Sequence, residues 1–178
     1  MKALIVFEAL FGNTEQVARA IAVGLTPDLS VELVGVKDAP AAIHELVDLV
    51  VVGGPTHAFS LSRPSTRAEA EKKGAAAASS GGGIREWLQG LPEGPHSESI
   101  ATFDTRATKA RHLPGSAAAK AAKLARQHGY PAAFAQESFW VEDTAGPLQV
   151  GELERAVRWG RALAAWIIAR STGVVTPF

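Results

Sequence analysis

Repeated runs of apolar, β-prone residues, each followed by a turn and then a helically spaced stripe, constrain this chain more than any other feature of it. The first run is Lys2-Ala3-Leu4-Ile5-Val6-Phe7, which passes through Glu8-Ala9-Leu10-Phe11-Gly12-Asn13-Thr14 into Val17, Ala20, Ile21, Gly24 and Leu25. That pattern reads as strand, loop, helix. Asp48-Leu49-Val50-Val51-Val52-Gly53-Gly54 is apolar without polar alternation, as expected of a parallel strand covered on both faces. Between the two, Thr26-Pro27-Asp28 breaks the helix, residues 31–36 read as a strand, and Asp38-Ala39-Pro40 predicts a short helix through about Leu46. Strands separated by helices join as right-handed βαβ units, and ligands then sit at the carboxyl ends of the strands, where the strand order reverses. The loops after the first and third strands are therefore the first places to look for a site.

Farther along, Thr66 and Glu69 stand at capping-box spacing and predict a short charged helix. Residues 74–83 are almost wholly Ala, Ser and Gly, too little apolar surface to order themselves, so a mobile insertion is expected. Ile84, Trp87, Leu88 and Leu91 predict a helix, and 99–103 a fourth strand followed by a long loop, 104–116, carrying Arg106, Lys109, Arg111 and His112. Ser116 is placed to cap the next helix and Gly129 to end it. A fifth strand spans 134–141, with 142–148 expected on the ligand side. Leu153, Ala156, Val157, Gly160, Ala164, Ile167 and Ile168 trace the buried stripe of a last helix, widened by Trp159, Leu163 and Trp166.

The function classes left open are few. A chain of 178 residues suits one domain, and 47% hydrophobic with 20% charged residues is the composition of a globular protein. Lys plus Arg balances Asp plus Glu at 18 each, which argues against nucleic acid as a partner. With no cysteine, thiol catalysis and thiolate metal sites are excluded, and His44, His57, His96, His112 and His128 form no spaced metal-binding cluster. No apolar run is long enough for a membrane span or a leader, so no membrane partner and a cytoplasmic location are expected. There is no Gly-x-Ser-x-Gly and no phosphate loop of the Gly-Lys-Ser/Thr kind. A receiver domain would need an aspartate ending the third strand, where Gly53-Gly54 stand.

The first loop nevertheless suits a phosphate, because a helix beginning there presents unpaired backbone amides and the positive end of its dipole. An apolar strand ending at Phe7 and followed by Gly12-Asn13-Thr14 resembles the first loop of the flavodoxin family, and the five βα units match that family over nearly the whole chain. The resemblance implies a three-layer doubly wound α/β fold, a five-stranded parallel sheet in the order 2-1-3-4-5. It also implies non-covalent FMN, with the phosphate on Ala9, Leu10, Phe11, Gly12, Asn13 and Thr14. One face of the flavin would then meet Pro55, Thr56, His57, Ala58 and Phe59, and the other Phe103, Asp104, Thr105 and Arg106. The implied work is electron transfer or flavin-dependent reduction, with a redox partner protein or a small-molecule acceptor. The alternative is a module that keeps the fold and binds another ligand or partner without tight FMN.

The chain departs from the family pattern in the first loop and in its charge, and also in having His57 and Ala58 where relatives often carry an aromatic, no glycine soon after Thr56, and a basic loop at 106–112. Ala9 stands where a Ser or Thr is usual, and Phe11 where many members carry Thr. The missing hydroxyls correspond to about 2 to 4 kcal/mol of phosphate binding, which backbone amides or an arginine of 106–112 would have to supply. The neutral charge also differs from the acidic flavodoxin carriers.

Overall fold

The computed structural model describes residues 1–75, 82–131 and 133–173, so the core of the expected Ala/Gly/Ser insertion, residues 76–81, lies outside the described residues. The strands are β1 (Lys2–Phe7), β2 (Ser30–Gly35), β3 (Leu49–Pro55), β4 (Ser99–Ala107) and β5 (Ala135–Val141). The helices are α1 (Asn13–Leu25), α2 (Pro64–Lys72), α3 (Ile84–Gly90), α4 (Ala117–Gln127) and α5 (Glu152–Ser171). All strand pairs are parallel, in the order β2-β1-β3-β4-β5, which is the order expected.

The sheet is covered on both faces. On one, Ile5, Val51, Phe103 and Phe139 pack against Val17, Ile21 and Leu25 of α1 and Ala156, Leu163 and Ile167 of α5. On the other, Leu4, Val50, Val52 and Ile100 meet Ile84 and Leu88 of α3 and Ala121 and Leu124 of α4. β1 and β3 have nearly every residue buried, which explains why they read as continuous apolar runs. Where α1 crosses α5 the backbones touch: a Cβ on Gly24 would lie 2.2 Å from the Val157 carbonyl oxygen, and one on Gly160 2.4 Å from that of Ile21. Glycine is needed at both positions for that approach.

Four expectations need correction. The helix expected at 38–46 is only a 3-10 turn, Val36–Asp38. With Leu46 70% exposed, so short a segment buries too little to offset helix nucleation. α2 starts at Pro64, and Thr66 sits in its first turn, where its hydroxyl accepts from the Arg63 amide at 2.9 Å instead of capping a later start. β4 continues to Ala107, because β3 pairs with it as far as Thr105 and β5 as far as Ala107. On α5 the inward stripe is rotated: Leu153 and Ile168 are exposed, while Trp159 and Leu163 are buried with Gly160 and Ala164.

Candidate functional site

A cleft of about 210 Å³ opens at the carboxyl ends of β1, β3, β4 and β5, where the strand order reverses. It is lined by Leu10, Phe11, Asn13 and Thr14 of the first loop, Pro55, Thr56, His57 and Ala58 after β3, Thr105 and Ala107 of β4, and Val141 and Thr144. Four loops distant in sequence thus converge because parallel strands all end on the same side.

The first loop enters α1 through Gly12, whose φ of 82° is the left-handed conformation that glycine adopts without strain. Gln16 is the first amide bonded back, to the Gly12 carbonyl at 3.1 Å. Among the described residues, none of the backbone amides from Ala9 to Glu15 donates to a protein acceptor. The Thr14 hydroxyl is 2.8 Å from that of Thr105, tying α1 to β4 at the cleft wall. Asn13 Nδ2 donates to the Ala145 carbonyl at 3.1 Å and so holds the segment 142–148 over the helix start.

The loop after β3 is held rigidly. His57 and Ser60 exchange backbone hydrogen bonds across Ala58 and Phe59, both with positive φ, which closes a tight turn. Arg85 donates to the carbonyls of Leu61 (2.7 Å) and Ser62 (3.0 Å) and to the Ser60 hydroxyl (3.1 Å). Thr56 Oγ1 donates to Asp104 Oδ2 at 3.0 Å and accepts from the Ala117 amide at 2.8 Å. Among the described residues that line the cleft, His57 is the one ionisable side chain, and burial lowers its pKa, with the nearby Glu8 carboxylate acting in the opposite direction. The cleft wall is therefore uncharged at neutral pH.

The remaining anticipated residues lie elsewhere. Phe103 is fully buried, its ring edge-on to Phe139 and Trp159 and filling the space a side chain at Gly53 would need. Asp104 points to the opposite face of the sheet and caps α4, accepting from the Ala118 amide at 3.1 Å. Burial raises its carboxyl above the ordinary range, against the pull of that amide and of Thr56. Arg106 is nearly buried, donating to the carbonyls of Ala110 (2.8 Å) and Leu113 (3.1 Å) beside Trp140. Phe59 is half-exposed outside the cleft wall, and Ala9 and Gly12 shape the first loop without lining it.

Sequence reasoning put 142–148, and so Thr144, on the ligand side, but it missed the walls Ala107 and Val141 and the support beneath the loops. Glu8, nearly buried, accepts from Ser62 Oγ at 2.5 Å and from the Ile84 amide at 2.9 Å, while Arg67 donates to Ser62 Oγ (2.9 Å) and to Glu86 (3.2 Å). This network joins the first loop, the third-strand loop and the start of α3. Its one visible trace in the sequence is a charged Glu8 directly after an apolar strand.

No protein-family model and no curated protein sequence matches the chain. Among solved structures it is similar to a flavodoxin from the domain Archaea (19% identity, TM-score 0.59, 94% of this chain and 99% of that one). It is also similar to a Streptococcus pneumonia TIGR4 flavodoxin (16%, 0.60, 93% and 99%) and to a short-chain flavodoxin associated with a non-canonical PDU bacterial microcompartment (13%, 0.63, 94% and 99%). At such identities the likeness is one of fold: the chain has the flavodoxin-like fold over its length.

Proposed function

We propose that the cleft binds FMN and that the protein works in electron transfer or flavin-dependent reduction. The observation that carries this reading is the run of backbone amides from Ala9 to Glu15 without protein acceptors, wrapped around the start of α1 at the cleft. Buried amides in folded proteins nearly always find a partner, and donors gathered at the positive end of a helix suit a phosphate. The residues present fit the group in this respect: amides can replace the hydroxyls absent at Ala9 and Phe11.

In this reading the first loop holds the phosphate, and Thr14 and Thr105 together offer one hydroxyl proton not consumed by their mutual bond. Pro55, Thr56, His57 and Ala58 form one wall and Ala107, Val141 and Thr144 the other. Bound FMN would supply the redox chemistry. The protein's part is to orient it and to keep charge away from its ring, which the uncharged His57 and a described lining without carboxylate, ammonium or guanidinium groups do. The flavodoxin-like neighbours support the reading without extending it to a donor or an acceptor.

Titrating the protein into FMN while following flavin fluorescence tests it. Saturable quenching and a one-to-one endpoint are expected. No saturation at high micromolar FMN would overturn the flavin reading and leave a module that kept the fold for another ligand.

A further inference from the structure

Charge is unevenly distributed along this neutral chain. Residues 105–136 contain six of its eighteen lysines and arginines and none of its eighteen acids, so the rest of the chain carries a net charge of −6. Five of the six are exposed or half-exposed, on α4 and on the loop before it. α4 exposes Lys123 and Arg126, with Lys120 half-exposed, and the loop leading to it exposes Lys109 and Arg111. Arg106 alone is turned inward.

We propose that this surface, α4 together with the loop after β4, docks an acidic protein at the rim of the cleft. Its loop part adjoins the cleft directly: Ala107 lines the wall, Lys109 is held to Asp143 at 2.6 Å beside Thr144, and Arg111 lies 4.7 Å over the Trp140 ring, next to Val141. A partner seated there faces the β4–β5 edge of the site. The proposal rests on the flavin reading only in taking that partner to be the redox partner.

Helix α1 pairs Arg19 with Glu15 one turn away, the usual way to place a cation on a surface helix. On α4 no acid stands three or four residues from Lys120, Lys123 or Arg126, and the three make no ion pair among the described residues. Three like charges at intervals of three residues disfavour the isolated helix, so an acidic surface that relieves them is complementary to it.

Other anions fit less well. A phosphate backbone draws on helix N-terminal amides beside cationic side chains, and those of α4 are consumed by Thr56, Asp104 and Ser116. A membrane surface would need a free apolar face, whereas Ala117, Ala118, Ala121, Leu124 and Ala125 are all buried.

The test measures binding of two probes of opposite charge, an acidic plant-type [2Fe–2S] ferredoxin and basic cytochrome c, by interferometry with and without added FMN. The wild type should bind ferredoxin, and raising salt from about 20 to about 300 mM should weaken it at least tenfold. The triple variant Lys120→Glu/Lys123→Glu/Arg126→Glu should lose that binding and gain cytochrome c, with a Lys120→Gln/Lys123→Gln/Arg126→Gln variant intermediate. Circular dichroism checks that both variants are folded. The proposal is overturned if neither probe binds the wild type, if cytochrome c or a DNA duplex binds it better than ferredoxin, or if folded variants of both kinds bind ferredoxin as the wild type does. Because docking is read by binding and flavin by fluorescence, each reading can fail without the other.

Discussion

Two hydroxyls 2.8 Å apart, on Thr14 and Thr105, concentrate the chemistry of the cleft at the scale of single residues. If one of them donates to the phosphate, Thr14→Ala should weaken FMN by about 1 to 2 kcal/mol and leave riboflavin, which lacks the phosphate, nearly unchanged. Paired calorimetric titrations decide it; equal losses for both ligands would move the phosphate away from α1. His57 provides a second test. Its folded pKa is depressed, so the folded state binds the proton more weakly than the unfolded chain. The associated stability is complete above the unfolded value of about 6.5 and is lost as pH falls below it toward the folded value. By NMR, His57 should titrate below about 6.5, and lower still in Glu8→Gln, because the carboxylate is what opposes the depression. A midpoint at or above the ordinary histidine value would show that the ring is solvated and the cleft wall chargeable.

Among the elements, the crossing of α1 and α5 holds one face of the sheet in place and so sets where α1 begins at the cleft. Alanine ordinarily favours a helix over glycine by about 1 kcal/mol. At Gly160 that gain should be outweighed, since the new methyl would sit 2.4 Å from the Ile21 carbonyl oxygen and could be accommodated only by parting the helices. Overpacking of this kind costs about 1 to 3 kcal/mol, so Gly160→Ala should lower the urea midpoint with an unchanged slope. A stabilised variant would mean that the helices lie farther apart than described. The support under the loops acts at the same scale. Glu8, Ser62, Arg67 and Arg85 bind three connections to one another, which keeps the third-strand loop in place although Ala58 and Phe59 adopt positive φ.

For the molecule as a whole, a ligand that binds only the folded state raises its stability by mass action. FMN at about one hundred times its dissociation constant should add about 2.7 kcal/mol. In a chain of this size that is a rise in melting temperature of roughly 5 to 10 °C. Scanning calorimetry with and without FMN checks it, and riboflavin at equal concentration should give a smaller shift because the amides around α1 would be left without a phosphate. A shift equal for both would place the binding energy on the ring and not on the helix start.

What the sequence determined by itself was the architecture. Hydrophobic periodicity is a local property, and the runs at 2–7 and 49–54 sufficed to place two central strands, the parallel sheet and the end of it where a cleft opens. Gly12-Asn13-Thr14 likewise marked the start of α1. The tertiary structure alone decided which side chains reach the cleft. Phe103, Asp104 and Arg106 lie in a strand that continues to Ala107, so alternation sends Phe103 into one core and Asp104 to the cap of α4, directions that depend on a strand end that propensity does not locate. Glu8 and Ser62 are 54 residues apart in sequence, and a carboxylate is expected inside only when its partners are there to receive it. Those partners exist only once β1, the third-strand loop and α3 have been brought together.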